Sequence, residues 1–176
     1  MIKHCLFLLL FLLIFSACTE EKKNDDFKWT TEESTKMNKH FSVQEDLDIN
    51  LYLSRKPEWK MTKTGTGLRY YIYENGSGET AQVDDVVDVE YTITLFDGTQ
   101  CYATASDEVD EFKVDKAQIE SGIQEAVKLM KEGDKAQLIV PSHLAYGIIG
   151  DMSKIPPLSP LVVDIKLVKI YRKTAP

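Results

Sequence analysis

The residues best suited to metal binding or nucleophilic attack are few and scattered. Three histidines (His4, His40, His143) and three cysteines (Cys5, Cys18, Cys101) lie far apart in the 176-residue chain. They form no His/Cys/Asp ligand cluster, so neither a metal nor a cofactor is expected. Cys101 has nothing basic near it in sequence and reads as a small buried hydrophobe rather than a reactive thiol. The run KTGTGLR carries Gly65 and Gly67 but no third glycine and no following helix, which argues against a phosphate loop. One stretch remains that could form a site, HLAYGIIGDMSKIPPLSP, from His143 to Pro160. Gly147, Gly150, Pro156 and Pro157 make it a poor helix or strand. Yet Leu144, Tyr146, Ile148, Ile149, Ile155 and Leu158 are too apolar for a solvated loop and must fold against something, either a core or a pocket.

The elements that must position this loop are mostly strands. Leu68, Tyr70 and Ile72 alternate with polar or amphipathic neighbours. Val87, Val89, Tyr91, Ile93 and Leu95 point one way, while Asp88, Glu90, Thr92 and Thr94 point the other, the pattern of a half-buried antiparallel strand. Asp97-Gly98 is a hairpin turn signal. Lys135 to Val140 and Leu161 to Tyr171 read as two further strands. Between them Ile119, Ile123, Val127 and Met130 share a helical face, with Ser121 and Gln124 as a capping box and Gly133 as C-cap. This predicts an α+β fold, a curved antiparallel sheet wrapped over one short helix. A further N-terminal helix is expected over 42–56, with Val43, Leu47, Leu51 and Tyr52 near one face, Ser42 and Glu45 as its capping box and Pro57 ending it.

The N-terminus reads as a targeting segment. Cys5 to Phe15 is an apolar run, too short for the roughly 20 residues a bilayer demands but suited to a signal-peptide core. Ser16-Ala17-Cys18 follows and resembles a bacterial lipobox, in which the cysteine is acylated and becomes the new N-terminus; Phe15 departs from the usual aliphatic residue. The expected organisation is a signal peptide over 1–17, a lipidated Cys18 with a flexible polar tether over 18–41, the helix over 42–56, and a folded domain over 67–172. With Cys5 removed and Cys18 lipidated, Cys101 has no partner for an intramolecular disulfide, so a packed core must hold the domain. The net charge is −7 with no basic stripe, which disfavours nucleic acid as a partner.

The order of motifs is more specific than any one of them. VVDVEYTITLFDGT, FKV, LMKEGDKAQLIVP, LAYGIIG and KIPPLSPLVVDIKLVKI succeed one another over roughly 67–171. This succession resembles the FKBP-type peptidyl-prolyl cis–trans isomerases. With its lipoprotein start and N-terminal helix, the chain looks most like the gliding-motility-associated FKBP-type lipoproteins. The resemblance implies that the AYG loop arches over a shallow apolar pocket, with Tyr146 at the rim and its hydroxyl toward a bound peptide carbonyl. It assigns catalytic positions to Tyr91, Tyr146 and Ile155. It assigns substrate-binding positions to Cys101, Tyr102, Ile119, Glu120, Ile123 and Val163. Several of these depart from the family pattern. Cys101-Tyr102 stands where an aromatic–aspartate pair is usual, Ile123 replaces a floor tryptophan, Val163 replaces a phenylalanine, and an aromatic falls near Asp110. Glu120 falls where the family uses a backbone N–H, so its side chain is expected to matter little.

Two functions follow. One is a membrane-anchored isomerase acting on proline-containing polypeptides of exported proteins in the cell envelope, at the periplasmic face of the outer membrane. The other is a non-catalytic FKBP-like binding module in a gliding-motility or secretion assembly. The retained Tyr91, Tyr146 and Ile155 favour the first, and the lost aromatics favour the second.

Overall fold

The structure, a computed structural model, describes residues 30–172. The signal peptide, Cys18 and the first part of the tether lie outside the described residues. The chain divides into two compact units, Met1–Thr35 and Lys36–Pro176. In the first, the described residues form a capped helix start. The Thr30 hydroxyl accepts from the Glu33 backbone N–H at 3.1 Å, and the Glu33 carboxylate accepts from the Thr30 backbone N–H at 2.9 Å. This is a capping box.

The first helix, α1, therefore runs over Thr31–Ser54, eleven residues earlier than the Ser42 start read from sequence. The expected tether over 18–41 is helical from Thr31 on. Glu32 and Glu33 in its first turn also suit the helix dipole. Ser42 and Glu45 form no cap; Glu45 instead accepts from the Ser142 backbone N–H at 2.6 Å. The expected apolar face is also corrected. Val43, Leu47 and Leu51 are exposed, whereas Ile49 is buried, with Tyr52 and Leu53 packed near it.

Among the described residues the second unit contains an antiparallel seven-stranded sheet of order β1-β2-β8-β9-β4-β5, with β6 also pairing β4. Its strands are β1 (Thr62–Lys63), β2 (Arg69–Glu74), β4 (Val86–Thr94), β5 (Gln100–Ala103), β6 (Asp110–Lys113), β8 (Lys135–Val140) and β9 (Leu161–Tyr171). A separate small ribbon joins β3 (Ser77–Thr80) to β7 (Lys131–Glu132).

Period-two alternation gives the sheet two apolar faces. Leu138, Val140, Leu161, Val163, Ile165 and Leu167 are buried in the main core, together with Val87, Val89 and Ile93 of β4. Ile139 and Val162, one residue out of phase, face the other side and bury Ile49 of α1. On that side the Tyr52 ring stacks on Phe96 at 4.1 Å between centroids. Arg69, almost fully buried, reaches Asp46 at 2.6 Å and Asn50 at 3.2 Å. A bulge where β9 passes Asp88 and Val89 shifts the register, so that Ile170 rather than Lys169 turns to the core.

The main core is closed by the second helix, α2, which is only Ser121–Val127. It carries no capping box. Gln124 is buried; its side chain accepts from the Asp115 backbone N–H at 2.9 Å and donates to the Ala117 carbonyl at 3.3 Å, while the Ser121 hydroxyl donates to Leu144. Gly133 lies beyond Lys128, the residue that ends α2; it has φ +89° and its N–H bonds Leu167 at 2.7 Å between β7 and β8. Gly122 permits the close approach of α2 to β8. A Cβ there would lie 2.4 Å from the Val140 side chain and 3.2 Å from the Leu144 carbonyl oxygen.

Candidate active site

The site opens where the free edge of β4 is shared. β6 pairs with Val86–Val89, and β5 pairs with Thr92–Thr94. Glu90 and Tyr91 fall between the two partners. Tyr91 still exchanges backbone hydrogen bonds with Thr104, giving from its N–H to the Thr104 hydroxyl and accepting from the Thr104 N–H, both at 3.0 Å. Behind this gap lies a cavity of about 190 Å³. Its walls are Val89, Tyr91 and Ile93 from β4, Asp110, Glu111 and Phe112 from β6, Ile119 and Glu120 leading into α2, and Ile123 on α2. The apolar wall follows from the alternation of β4 and from the helical step between Ile119 and Ile123.

Each tyrosine of the site is turned to a carboxylate. Tyr91 is half-buried, and burial first, then its interaction with Asp110, pushes the phenol up to about 12. Tyr146 is raised still further, by burial first and then by Glu120. Both phenols stay protonated at neutral pH and act as donors. The Glu120 side chain, expected to matter little, thus acts on the Tyr146 phenol.

The loop from Ala145 to Pro160 is fastened by its own backbone and by β5. Gly147 bonds Ser142 at 2.8 Å, and Leu158 bonds Gly147 at 3.0 Å. Asp151 is the clamp. It accepts the Tyr102 hydroxyl and, at 2.8 Å each, the backbone N–H groups of Ser153 and Ile155. Burial opposes its charge, but Tyr102 and the N–H groups of Ile155, Ser153 and Lys154 hold its pKa down to about 2. Lys154 donates to the Cys101 carbonyl at 2.8 Å and lies 4.9 Å from the Tyr102 ring centroid. The opening question of core or pocket divides within the loop. Ile155 is buried, Leu144 and Tyr146 pack on the core, and Ile148, Ile149 and Met152 stand in solvent.

The structure gathers Tyr91, Ile119, Glu120 and Ile123 around one cavity, with Tyr146 reaching it through Glu120. It places the others elsewhere. Tyr102 is spent on the loop clamp. Cys101, 2% exposed, has its sulfur 3.7 Å from the Lys154 carbonyl, and burial followed by the nearby Asp151 charge raises its thiol pKa. It behaves as a buried hydrophobe. Ile155 and Val163 belong to the core and do not line the cavity. Sequence reasoning missed Glu111 and Phe112. Phe112 opens the FKV motif, and its two-residue step from Asp110 was the available signal. The register Val89↔Asp110 and Val87↔Phe112 sets that strand beside β4.

A larger groove of about 420 Å³ on the other side of Tyr91 is charged, with Glu90, Asp107, Glu108, Lys135, Asp164 and Lys166 among its walls. Its cations are committed, Lys166 to Glu90 at 3.1 Å and Lys135 to Glu74 at 2.8 Å. Among the described residues no three His, Cys, Asp or Glu side chains converge to hold a metal ion. The smaller cavity can exclude water from one ring-sized group and offer hydroxyl donors at its rim, and that is its chemistry.

Comparison with known proteins agrees with this geometry. Residues 77–168 match the family model of the FKBP-type peptidyl-prolyl cis–trans isomerase. A probable FKBP-type peptidyl-prolyl cis–trans isomerase FkpA of Neisseria meningitidis is 40% identical over 107 residues, 61% of this chain and 39% of that protein. The macrophage infectivity potentiator of Trypanosoma cruzi is 37% identical over 109 residues, 61% of this chain and 55% of that one. The chain thus spans between 39% and 55% of the length of these two curated relatives. The crystal structure of FkpA from Escherichia coli superposes with a TM-score of 0.64 at 28% identity, covering 82% of this chain and 74% of that one. The motif order, the split β4 edge with its apolar cavity, and the family match converge: the chain belongs to the FKBP-type peptidyl-prolyl cis–trans isomerase family.

Proposed function

We propose that the protein isomerises peptide bonds preceding proline in exported polypeptides, held to a bacterial membrane through an acylated Cys18. The observation that carries the catalytic part is the cavity of about 190 Å³ walled by Tyr91, Ile119, Phe112 and Ile123. It is smaller than the roughly 300–1,000 Å³ of a drug-sized pocket and suits a single ring-sized side chain. Turning a peptide bond out of plane costs about 18–20 kcal/mol because amide resonance is lost. The twisted amide has less charge separation than the planar one, so a dry apolar wall favours it. That preference is differential binding of the transition state. The chain's own work is to seat the proline ring, exclude water, and offer a phenol hydroxyl to a flanking carbonyl. No covalent intermediate is required.

The anchoring part rests on sequence. Ser16-Ala17-Cys18 follows an apolar run, and a polar segment comes after it. Among the described residues no helix is long and apolar enough to cross a membrane. In this reading the attachment is the lipid, the location is the cell envelope at the periplasmic face of the outer membrane, and the lipoprotein start together with the N-terminal helix points to the gliding-motility-associated subtype. The second reading, a binding module without catalysis, is favoured by one observation. Tyr146 has the Glu120 carboxylate as a neighbour, which raises its pKa.

The deciding experiment is two-dimensional exchange NMR on a prolyl peptide with catalytic amounts of the protein. The isomerase reading expects exchange cross-peaks that the peptide alone lacks. Line broadening from binding, with no gain in exchange rate at any ratio, supports the module instead.

A further inference from the structure

We propose that this cavity selects prolyl segments flanked by lysine or arginine, with the carboxylates of Asp110 and Glu120 reading the cation. The inference rests on the cavity being the peptide site and adds the chemistry of the substrate that fits it. The apolar walls mark where the proline goes. Every charged residue lining the same cavity is acidic. Asp110 from β6, paired with the inward Val89, and Glu120 from the turn into α2 serve the mouth, whereas Glu111, paired with Asp88, turns to the other face of the sheet. A peptide leaving the cavity therefore meets carboxylates from two separate elements.

These carboxylates are also uncompensated. Among the described residues neither Asp110 nor Glu120 forms an ion pair, while Lys113 and Lys128 are engaged elsewhere. Lys113 pairs with Asp84 at 2.9 Å, and Lys128 pairs with Asp115 at 2.7 Å. The connection from β5 to β6 extends the same sign with Asp107 and Glu108 along the adjoining groove. Like charges beside a low-dielectric wall focus a negative potential at the mouth. A cation placed next to the proline gains from that potential, and an anion there is repelled.

The test uses the full chain and labelled pentapeptides Ala-Xaa-Pro-Phe-Ala in which Xaa is Lys, Leu or Glu, with affinity read by fluorescence anisotropy. At low salt the Lys peptide should bind about tenfold tighter than the Glu peptide. At about 0.5 M salt the ratio should shrink to about twofold, because exposed charge interactions are screened. In the Asp110→Asn, Glu120→Gln double variant the low-salt ratio should fall to about one, with circular dichroism confirming the fold. If that variant does not fold, the wild-type salt series decides alone. Equal binding of Lys and Glu peptides by the wild type at low salt overturns the proposal, as does a ratio that persists in a folded double variant. Isomerisation of the Leu peptide is measured on the same sample. Absent turnover with an intact Lys:Glu ratio sinks the isomerase reading and leaves this one. Turnover with a ratio of one sinks this one and leaves the isomerase.

Discussion

The pairing of Tyr146 with Glu120 has an unexpected kinetic consequence for a neutral peptide. The Tyr146 hydroxyl lies near the Glu120 carboxylate, which helps to raise its pKa. A hydrogen bond to a charged acceptor contributes about 1.5–3 kcal/mol and one between neutral partners about 0.5–1.5 kcal/mol. Tyr146 and Glu120 are both partly exposed, so the lower end of each range applies. Transferring the hydroxyl from Glu120 to a substrate carbonyl then costs about 1 kcal/mol, a factor of about five. Tyr146→Phe should therefore lower kcat/KM on a Leu-Pro peptide by less than about twofold, since the bond it removes is hardly used. Glu120→Ala should raise kcat/KM by about fivefold. In the Glu120→Ala background the same Tyr146→Phe change should now cost about two- to tenfold, because the hydroxyl is free to bind substrate. The assay is a protease-coupled isomerisation series on the four proteins of this cycle. Additive effects, or a tenfold loss from Tyr146→Phe alone, would refute the competition and mean that the hydroxyl already serves substrate in the wild type.

Gly122→Ala should destabilise the domain by about 1–3 kcal/mol, as overpacking does, because its Cβ would meet Val140 at 2.4 Å; thermal melting checks this, and an unchanged midpoint would mean that α2 is not pressed on β8. Asp151 has its pKa lowered from 3.8 to about 2, so its clamp is present above pH 3.8 and is lost as pH falls through about 2. The Ile155 amide shift in NMR should titrate with a midpoint near that folded value and should not titrate in Asp151→Asn; a midpoint near 3.8 would mean that no clamp forms. Cys18→Ala should abolish acylation and move the protein into the soluble fraction; a variant that stays with membranes while carrying no lipid mass refutes the anchor.

Much of the fold was legible because burial imposes a period. The alternation of β4 and β9 and the step from Ile119 to Ile123 place these residues at the core or the cavity without further information. Features that lack such a period were hidden. The start of α1 depends on the Thr30–Glu33 box inside an acidic, apolar-poor stretch, where no stripe announces a helix. Val43, Leu47 and Leu51 do make a stripe, but docking is decided by what Ile139 and Val162 can cover, and they cover Ile49. Ser121 and Gln124 fit a capping pattern, yet Gln124 satisfies buried backbone groups at Asp115 and Ala117 instead. A local motif yields when a tertiary partner offers a better-buried hydrogen bond.

The departures at the site follow from register rather than from residue type alone. β5 pairs Ile93 with Tyr102 and Thr94 with Gln100, which leaves Cys101 as the extra residue of a bulge. Cys101 is thereby buried, and Tyr102 reaches the loop, where its hydroxyl closes the Asp151 clamp. Tyr102, to which the resemblance assigns substrate binding, is thereby engaged by the loop. Across β4, the pairing Val89↔Asp110 brings a carboxylate to the phenol of Tyr91 from β6 instead. A charged partner for Tyr91 is thus present, but it comes from another strand and lies on the wall of the cavity. Glu120 adds a second carboxylate beside the same opening. The consequence is a site with an apolar interior and an anionic mouth, assembled from positions that look, one at a time, like losses.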